Sequence, residues 1–394
     1  MELSRIAIVG AGASSSTPKL GCVAGATPLK RDDGSIEVDY STIKCAGCQD
    51  AAVNPNGRNN RLNPSLLIQL RSSDCEDEGL FNILIDCGKT FRESAIKVFP
   101  KYGVSNLNAL LLTHNHADAC FGVDDLREFS SQGDRSRACG HTGEMPLFVF
   151  ADPCTMDSMR NVFGYLFPKK VPHSTKGAWV AKLDWRTFEQ GTVIDVPTES
   201  NKDGDVISSF PILSFPVEHG PSCQCNAFLL ELPTTSDDDV VPFFFYMSDV
   251  SKFELDSDGV RLMTSMETLY NHTRKDRDDV AEKRKKRFVI DVLVLDLLGM
   301  EPYFAHFSRD EAVASALSIG ARQTYFVGMS HTLEYERLQR HVSKVALEHP
   351  SLTPSDKGLG SCYITGTKPE LLVGYDGCCI RDETATTTST TTKE

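Results

Sequence analysis

The run LLLTHNHAD at Leu110–Asp118 ends in two histidines separated by one residue, with an aspartate two positions further on: His114, His116 and Asp118. Neutral imidazoles and a carboxylate at a strand end are ligands suited to Zn²⁺, Mn²⁺ or Fe²⁺. The bland reading makes the histidines surface loop residues and Asp118 the cap of the following turn. The next position, where a further histidine would extend the pattern, is Ala119. Two other apolar runs end on polar residues, SFPVEHG at His219 and FFFYMSDVSKF at Asp249. Each alone reads as a hydrogen-bonded cap. Together they are residues that the ends of several strands can bring to one crevice, where layered α/β sheets bind ligands.

A second constellation is Cys22 with Cys45-Ala-Gly-Cys48. A C-x-x-C pair plus one cysteine suits a structural zinc if a fourth ligand, such as a histidine, arrives from elsewhere. Reduced, buried thiols are the alternative. GAGASSS at Gly10–Ser16 only partly resembles a dinucleotide fingerprint, because Ser15 replaces the third glycine and Pro18 follows. A tight glycine turn closing the first strand is the simpler reading.

The elements that must position these residues are legible as short apolar runs. RIAIVG, SLLIQL, FNILIDCG, LNALLLTH, PLFVFAD, FFFYMSDV, DVLVLDLL and QTYFVGM read as buried strands. FRESAIKVFPKYG and SRDEAVASALSIGA read as helices, the second with a capping box at Ser308 and Glu311. Interleaved strands and helices predict an α/β layered domain. A single domain over residues 1–380 is expected, with surface insertions at about 197–209 and 257–288 and a disordered Thr-rich tail at 381–394. The densest mixed-charge stretch, 271–288, reads as an exposed loop or solvated helix.

The formal net charge of −13 argues against general nucleic-acid binding, since phosphate contacts need Lys and Arg. Thirteen cysteines scattered through apolar segments, among them Cys87, Cys120 and Cys139, do not form a compact disulfide framework. No secretory signal and no long apolar span are apparent, so a cytoplasmic protein off the membrane is expected. A homodimer is compatible with the sequence.

With these residues in view, the chain resembles the metallo-β-lactamase fold superfamily, over about residues 5 to 380. The likeness rests on ILIDCG, LLLTHNHAD, PVEHG, MSDVS and VGMSH in that order. It looks most like the branch containing tRNA 3′-processing endonucleases and the cyclic-phosphate phosphodiesterase of phosphonate breakdown. Thr113–Ala119, Gly122–Arg127, Leu183–Arg186, Ser248–Ser251 and Gly328–His331 match uncharacterised eukaryotic relatives of that phosphodiesterase. The implied fold is an αββα sandwich with its metal site at the sheet edge.

The resemblance implies that His114, His116 and His219 bind a first metal, with Asp249 bridging and Asp118 on a second. Ala119 and Gly328 stand where two second-metal histidines are expected, so one active-site ion is expected rather than two. His331 matches the histidine that joins three cysteines, here Cys22, Cys45 and Cys48, around a structural Zn²⁺. Another register would place His331 among the catalytic ligands. His306 matches a proposed general acid, with a structural histidine at a helix start as the alternative.

The reaction so implied is hydrolysis of a small cyclic phosphate or nucleotide-like ester by a metal-bound hydroxide. Asp118 would accept a proton and His306 would protonate the leaving alkoxide. Arg58 or Arg61 is available for phosphate, though each also reads as a surface residue. The alternatives are a metal-binding or interaction protein without hydrolase activity, and a thioester or other ester hydrolase.

Overall fold

The computed structural model describes residues 1–72, 79–130, 146–167, 181, 183–200, 205–234, 240–275, 286–349 and 368–383. Two seven-stranded sheets carry the fold. In the first, the strand order is Cys379–Asp382, Glu2–Gly10, Ser65–Arg71, Phe81–Ile85, Ala109–Leu111, Leu147–Ala151, Leu183–Thr187. The last four are mutually parallel. In the second the order is Glu370–Val373, Gln323–Val327, Arg287–Asp296, Val240–Met247, Gln224–Glu231, Val206–Glu218, Val193–Ser200, and its first four strands are parallel.

Strand alternation explains the layers. Ile6, Ile8, Leu66, Ile68, Ile83, Ile85, Leu111, Phe148 and Phe150 face the second sheet and join Phe228, Phe243 and Phe245 in one core. Their neighbours Val9, Leu67, Leu84, Leu110 and Val149 face the other way and pack on Phe91, Val98, Phe99, Met156 and Met159 of the outer helices and the turn between them. Strands buried on both faces read as unbroken apolar runs, as these do. Helices Leu255–His272, Arg309–Ile319 and Tyr335–Glu348 send Leu262, Met266, Leu269, Ala312, Leu338 and Val342 into the first core from the second sheet's side. The result is the αββα sandwich. Ser308 and Glu311 form the expected capping box.

Three expectations need correction. Residues 257–272 belong to helix Leu255–His272, whose apolar face is in the main core, so they are a structural layer and not an insertion. From 197 to 209, the described residues at both ends continue two paired strands, Val193–Ser200 and Val206–Glu218; residues 205–207 are exposed, while Pro197 and Thr198 are buried. At Gly10 the backbone is ordinary, and the glycine is needed for close approach: a Cβ there would lie 1.8 Å from the Asn63 carbonyl oxygen. Residues 201–204, 276–285, Cys139 and the tail from 384 onward lie outside the described residues. No helix among the described residues is long and apolar enough to cross a membrane.

One buried carboxylate ties the chain ends to this frame. Asp376, after the Glu370–Val373 strand, accepts from Ala11 N–H and Leu62 N–H at 3.0 Å each and from Lys97 Nζ at 3.1 Å. Removing a partner from a buried, hydrogen-bonded ion pair costs far more than breaking an exposed one. Asp376→Ala is therefore expected to lose about 3–5 kcal/mol of unfolding free energy. Glu336→Ala, which breaks the exposed 3.8 Å pair with Arg58, should stay within about 0.5 kcal/mol. Urea denaturation of the two variants checks both, and equal losses would overturn the assignment.

Candidate metal centre

The parallel strands of both sheets end at one edge, and polar residues follow directly. Asp86 follows Phe81–Ile85, His114 follows Ala109–Leu111, Asp152 follows Leu147–Ala151, Asp249 follows Val240–Met247, and Asp296 ends Arg287–Asp296. His219 follows Val206–Glu218. Asn226 bridges the sheets there: its Nδ2 donates to the Thr113 carbonyl at 2.9 Å and to Asp152 at 3.0 Å.

Hydrogen bonds orient each imidazole. Thr113 Oγ1 donates to Asp86 at 2.8 Å, which leaves its lone pairs for His114 Nδ1–H, also at 2.8 Å. His114 Nε2 is then the lone-pair nitrogen, and it is buried with no partner in the protein. His219 Nδ1 donates to the Ala305 carbonyl at 2.7 Å, so its Nε2 is free to bind and lies 3.2 Å from His116 Nδ1. Two nitrogens held tetrahedrally about 2.0–2.1 Å from one ion lie roughly 3.4 Å apart, close to that spacing. A buried, unpartnered nitrogen among three converging imidazoles fits a divalent cation.

The ligand atoms of His114, His116 and His219 lie within 4.8 Å of one another, as do those of His219, Asp249 and His306. His219 links the two groups. Asp118, buried in the short helix Ala117–Cys120, belongs to neither. Burial, then the charge of Asp249, raises its proton affinity. Burial pushes His114 down to about 3, so this ring is neutral, as a ligand must be. Burial also works against Asp249, yet His114, His219 and His306 outweigh it and hold Asp249 below the usual carboxylate range.

His306 Nδ1 sits 2.8 Å from Asp296 Oδ2 and 3.9 Å from Asp249 Oδ1. Burial opposes a charge on His306, but the charge and hydrogen bond of Asp296, then Asp249, hold the ring up to about 9. Asp296 itself is pushed up to about 7, by burial against the pull of His306. Sequence reasoning missed Asp296 and Asp86. Both close apolar strand runs, in LVLD and ILID, the same signal that marked Asp249.

Ala119 is buried in its helix. Gly328 has φ +78, where a side chain is strained, and a Cβ there would meet Asp296 Oδ1 at 2.4 Å, so a histidine would have to displace that carboxylate. His331 stands apart from this centre. Its Nδ1 lies 3.6, 3.4 and 3.5 Å from the sulfurs of Cys22, Cys45 and Cys48. A tetrahedral zinc with bonds of about 2.3 Å to sulfur and 2.0 Å to nitrogen has S···N edges of roughly 3.5 Å. Burial first, then the neighbouring thiols, raises Cys48 to about 12, which a cation would reverse.

Of the two arginines, Arg58 is exposed, as the surface reading expects, and Arg61 departs from it. Arg61 is fully buried and donates to the carbonyls of Ser330 and Leu333, bracing the loop that carries His331. It is neither a surface residue nor free for phosphate. Arg58 lies over the rings of Tyr335 and Tyr375, at 4.9 Å from each.

A model of the beta-lactamase superfamily domain matches residues 81–329. A crystal structure titled as a new diphosphatase from the PhnP family aligns at a TM-score of 0.55 and 20% identity, covering 96% of this chain and 98% of that one. Human tRNase Z, short form, aligns at 0.46 and 13% identity, over 96% and 98%. An octanoyltransferase of Porphyromonas gingivalis (strain ATCC BAA-308 / W83) is 30% identical over 165 residues, 42% of this chain. The match spans only 24% of that protein's length. The domain match covers more than half of the sequence and contains every residue of the centre, Asp86 and His306 included, so the chain belongs to the beta-lactamase superfamily and has its metal-dependent hydrolase fold.

Proposed function

We propose that this protein is a metal-dependent phosphodiesterase acting on a small cyclic phosphate or nucleotide-like ester. The observation that carries the reading is a proton-bearing imidazole, His306, held by Asp296 beside the ligand set. Phosphodiester cleavage expels a basic alkoxide, and a positioned acid is what that leaving group requires. His114, His116, His219 and Asp249 would hold a divalent ion, Zn²⁺ or else Mn²⁺ or Fe²⁺. Such an ion supplies Lewis acidity and makes water a nucleophile near neutral pH. Asp118, whose proton affinity is raised, takes the proton from the attacking water. His306 Nδ1 is engaged by Asp296, so Nε2 delivers the proton to the departing oxygen. Ala119 and Gly328 support one ion over two.

His306→Gln is expected to slow an alkyl phosphodiester by about 10²–10⁴-fold and a p-nitrophenyl ester far less, because the phenolate leaves unaided. Equal losses on both would remove the general-acid role. Chelated protein and Asp249→Ala should lose turnover of both; activity that survives either treatment sinks the metal mechanism. Stoichiometric metal without turnover across an ester panel would make this a binding protein.

The Cys22, Cys45, Cys48 and His331 set would hold a structural Zn²⁺, contributing folding energy. Cys48→Ala should lose about one zinc per chain and about 4 kcal/mol or more of stability. Atomic absorption and thermal denaturation measure this, and unchanged zinc in a folded variant rules the site out.

A further inference from the structure

Among the described residues, four aromatic side chains are exposed: Phe121, Tyr165, Tyr303 and Phe304. Two of them, Tyr303 and Phe304, adjoin the metal centre: the Tyr303 ring faces His306, and Phe304 lies beside Gly220, next to His219. Phe121 follows Asp118 by three positions, and its ring packs edge-on against Phe163, which packs against Tyr165. Tyr303 and Phe304 precede His306 by three and two positions. Exposed aromatic surface costs free energy, and a pair of exposed rings adjoining His306 is a sign of a ligand.

The Tyr303–Phe304 pair is the better built. Its rings are 4.6 Å apart, and Tyr303 lies near-parallel to His306 at 6.0 Å with an interplanar angle of 26°. Phe304 is 68% exposed and Tyr303 50%, yet their backbone is anchored. Tyr303 bridges to His306, the Ala305 carbonyl takes the His219 proton, and Phe307 N–H donates to the Val250 carbonyl at 3.1 Å. Two large rings are thus displayed on a fixed turn, one residue away from the groups that orient His219 and stand beside Asp249.

We infer that Tyr303 and Phe304 form a stacking shelf for the base of a nucleotide whose phosphate lies at the histidine cluster. A base is joined to its phosphate through one sugar, which matches a shelf adjoining the acid His306. The net charge of −13 favours a single nucleotide over a polynucleotide, because a chain of phosphates would need a basic track. Base–aromatic stacking is tolerant of base identity and contributes about tenfold or more per base to affinity. The inference rests on the phosphodiester reading for the placement of the phosphate, and the test separates the two.

Isothermal titration of the purified protein with adenosine 5′-monophosphate and with ribose 5-phosphate reads the shelf directly. Adenosine 5′-monophosphate should bind about tenfold tighter or more. That preference should fall about tenfold in Tyr303→Ala/Phe304→Ala, and also fall in Phe304→Leu, which keeps apolar bulk without a ring. Leu347→Ala, an exposed apolar change on helix Tyr335–Glu348, should keep the preference. Equal binding of the two ligands, no binding of either, or a preference that survives the double substitution each overturns the shelf. A preference that behaves as expected in a protein without phosphodiester turnover would sustain the shelf and sink the hydrolytic reading. Turnover without the preference would do the reverse.

Discussion

The centre depends on an excess of buried negative charge. Asp86, Asp118, Asp249 and Asp296 are all buried at one sheet edge, and Asp249 raises the proton affinity of the other three. Burial keeps His114 and His219 from carrying compensating charge. Set against them are the imidazoles around Asp249, His306 foremost in holding a proton, and, on Asp118, His116 and then Lys89. Carboxylates so placed must be protonated or matched by a cation. The same imbalance bears on the proposed substrate, because a phosphodiester is an anion. A cation is needed to admit it as much as to activate water.

Rigidity follows from where these groups stand. Each histidine of the centre with a settled tautomer is fixed by a partner that is itself fixed: Asp86 and Thr113 for His114, the Ala305 carbonyl for His219. Asn226 holds the two sheets together at that edge. Since the partners lie on strand ends of a doubly buried sandwich, ligand nitrogens can converge without the loops having to find each other. The turn carrying Tyr303 and Phe304 inherits this order through Ala305, which lies between the exposed rings and His306.

The sandwich was largely legible because its strands are buried on both faces and so appear as apolar runs. What escaped were elements without that signature. Helix Leu255–His272 does carry a helix face, with Leu262, Met266 and Leu269 at the i, i+4, i+7 spacing, but its acidic first turn and the dense charges that follow it make it read with the insertion. The strand pair near 197–209 is rich in polar residues whether exposed, as Asp205 and Ser209 are, or buried, as Thr198 is, and so reads as a loop. At the centre, His114, His116, His219 and Asp249 were visible as polar residues ending apolar runs. Asp86 and Asp296 end such runs too, but their work is done on other side chains, and only the geometry reveals which. Arg61 misled for a related reason: a buried arginine satisfied by backbone carbonyls looks in sequence like any loop cation.

Asp296 also bears on how many ions the centre holds. Its Oδ1 fills the space that a side chain at position 328 would enter, while its Oδ2 binds His306. In this backbone a histidine at 328 and the Asp296–His306 pair compete for the same volume. With glycine there, the carboxylate stays buried against the backbone and His306 stays protonated, 3.9 Å from Asp249. His306 is one of the groups that hold Asp249 below the usual carboxylate range. A protonated imidazole can balance the Asp249 charge and also give up its proton to a leaving group, which a metal ion cannot do. Under the proposed phosphodiesterase reading, the absence of histidines at Ala119 and Gly328 fits one ion and one acid in place of two ions.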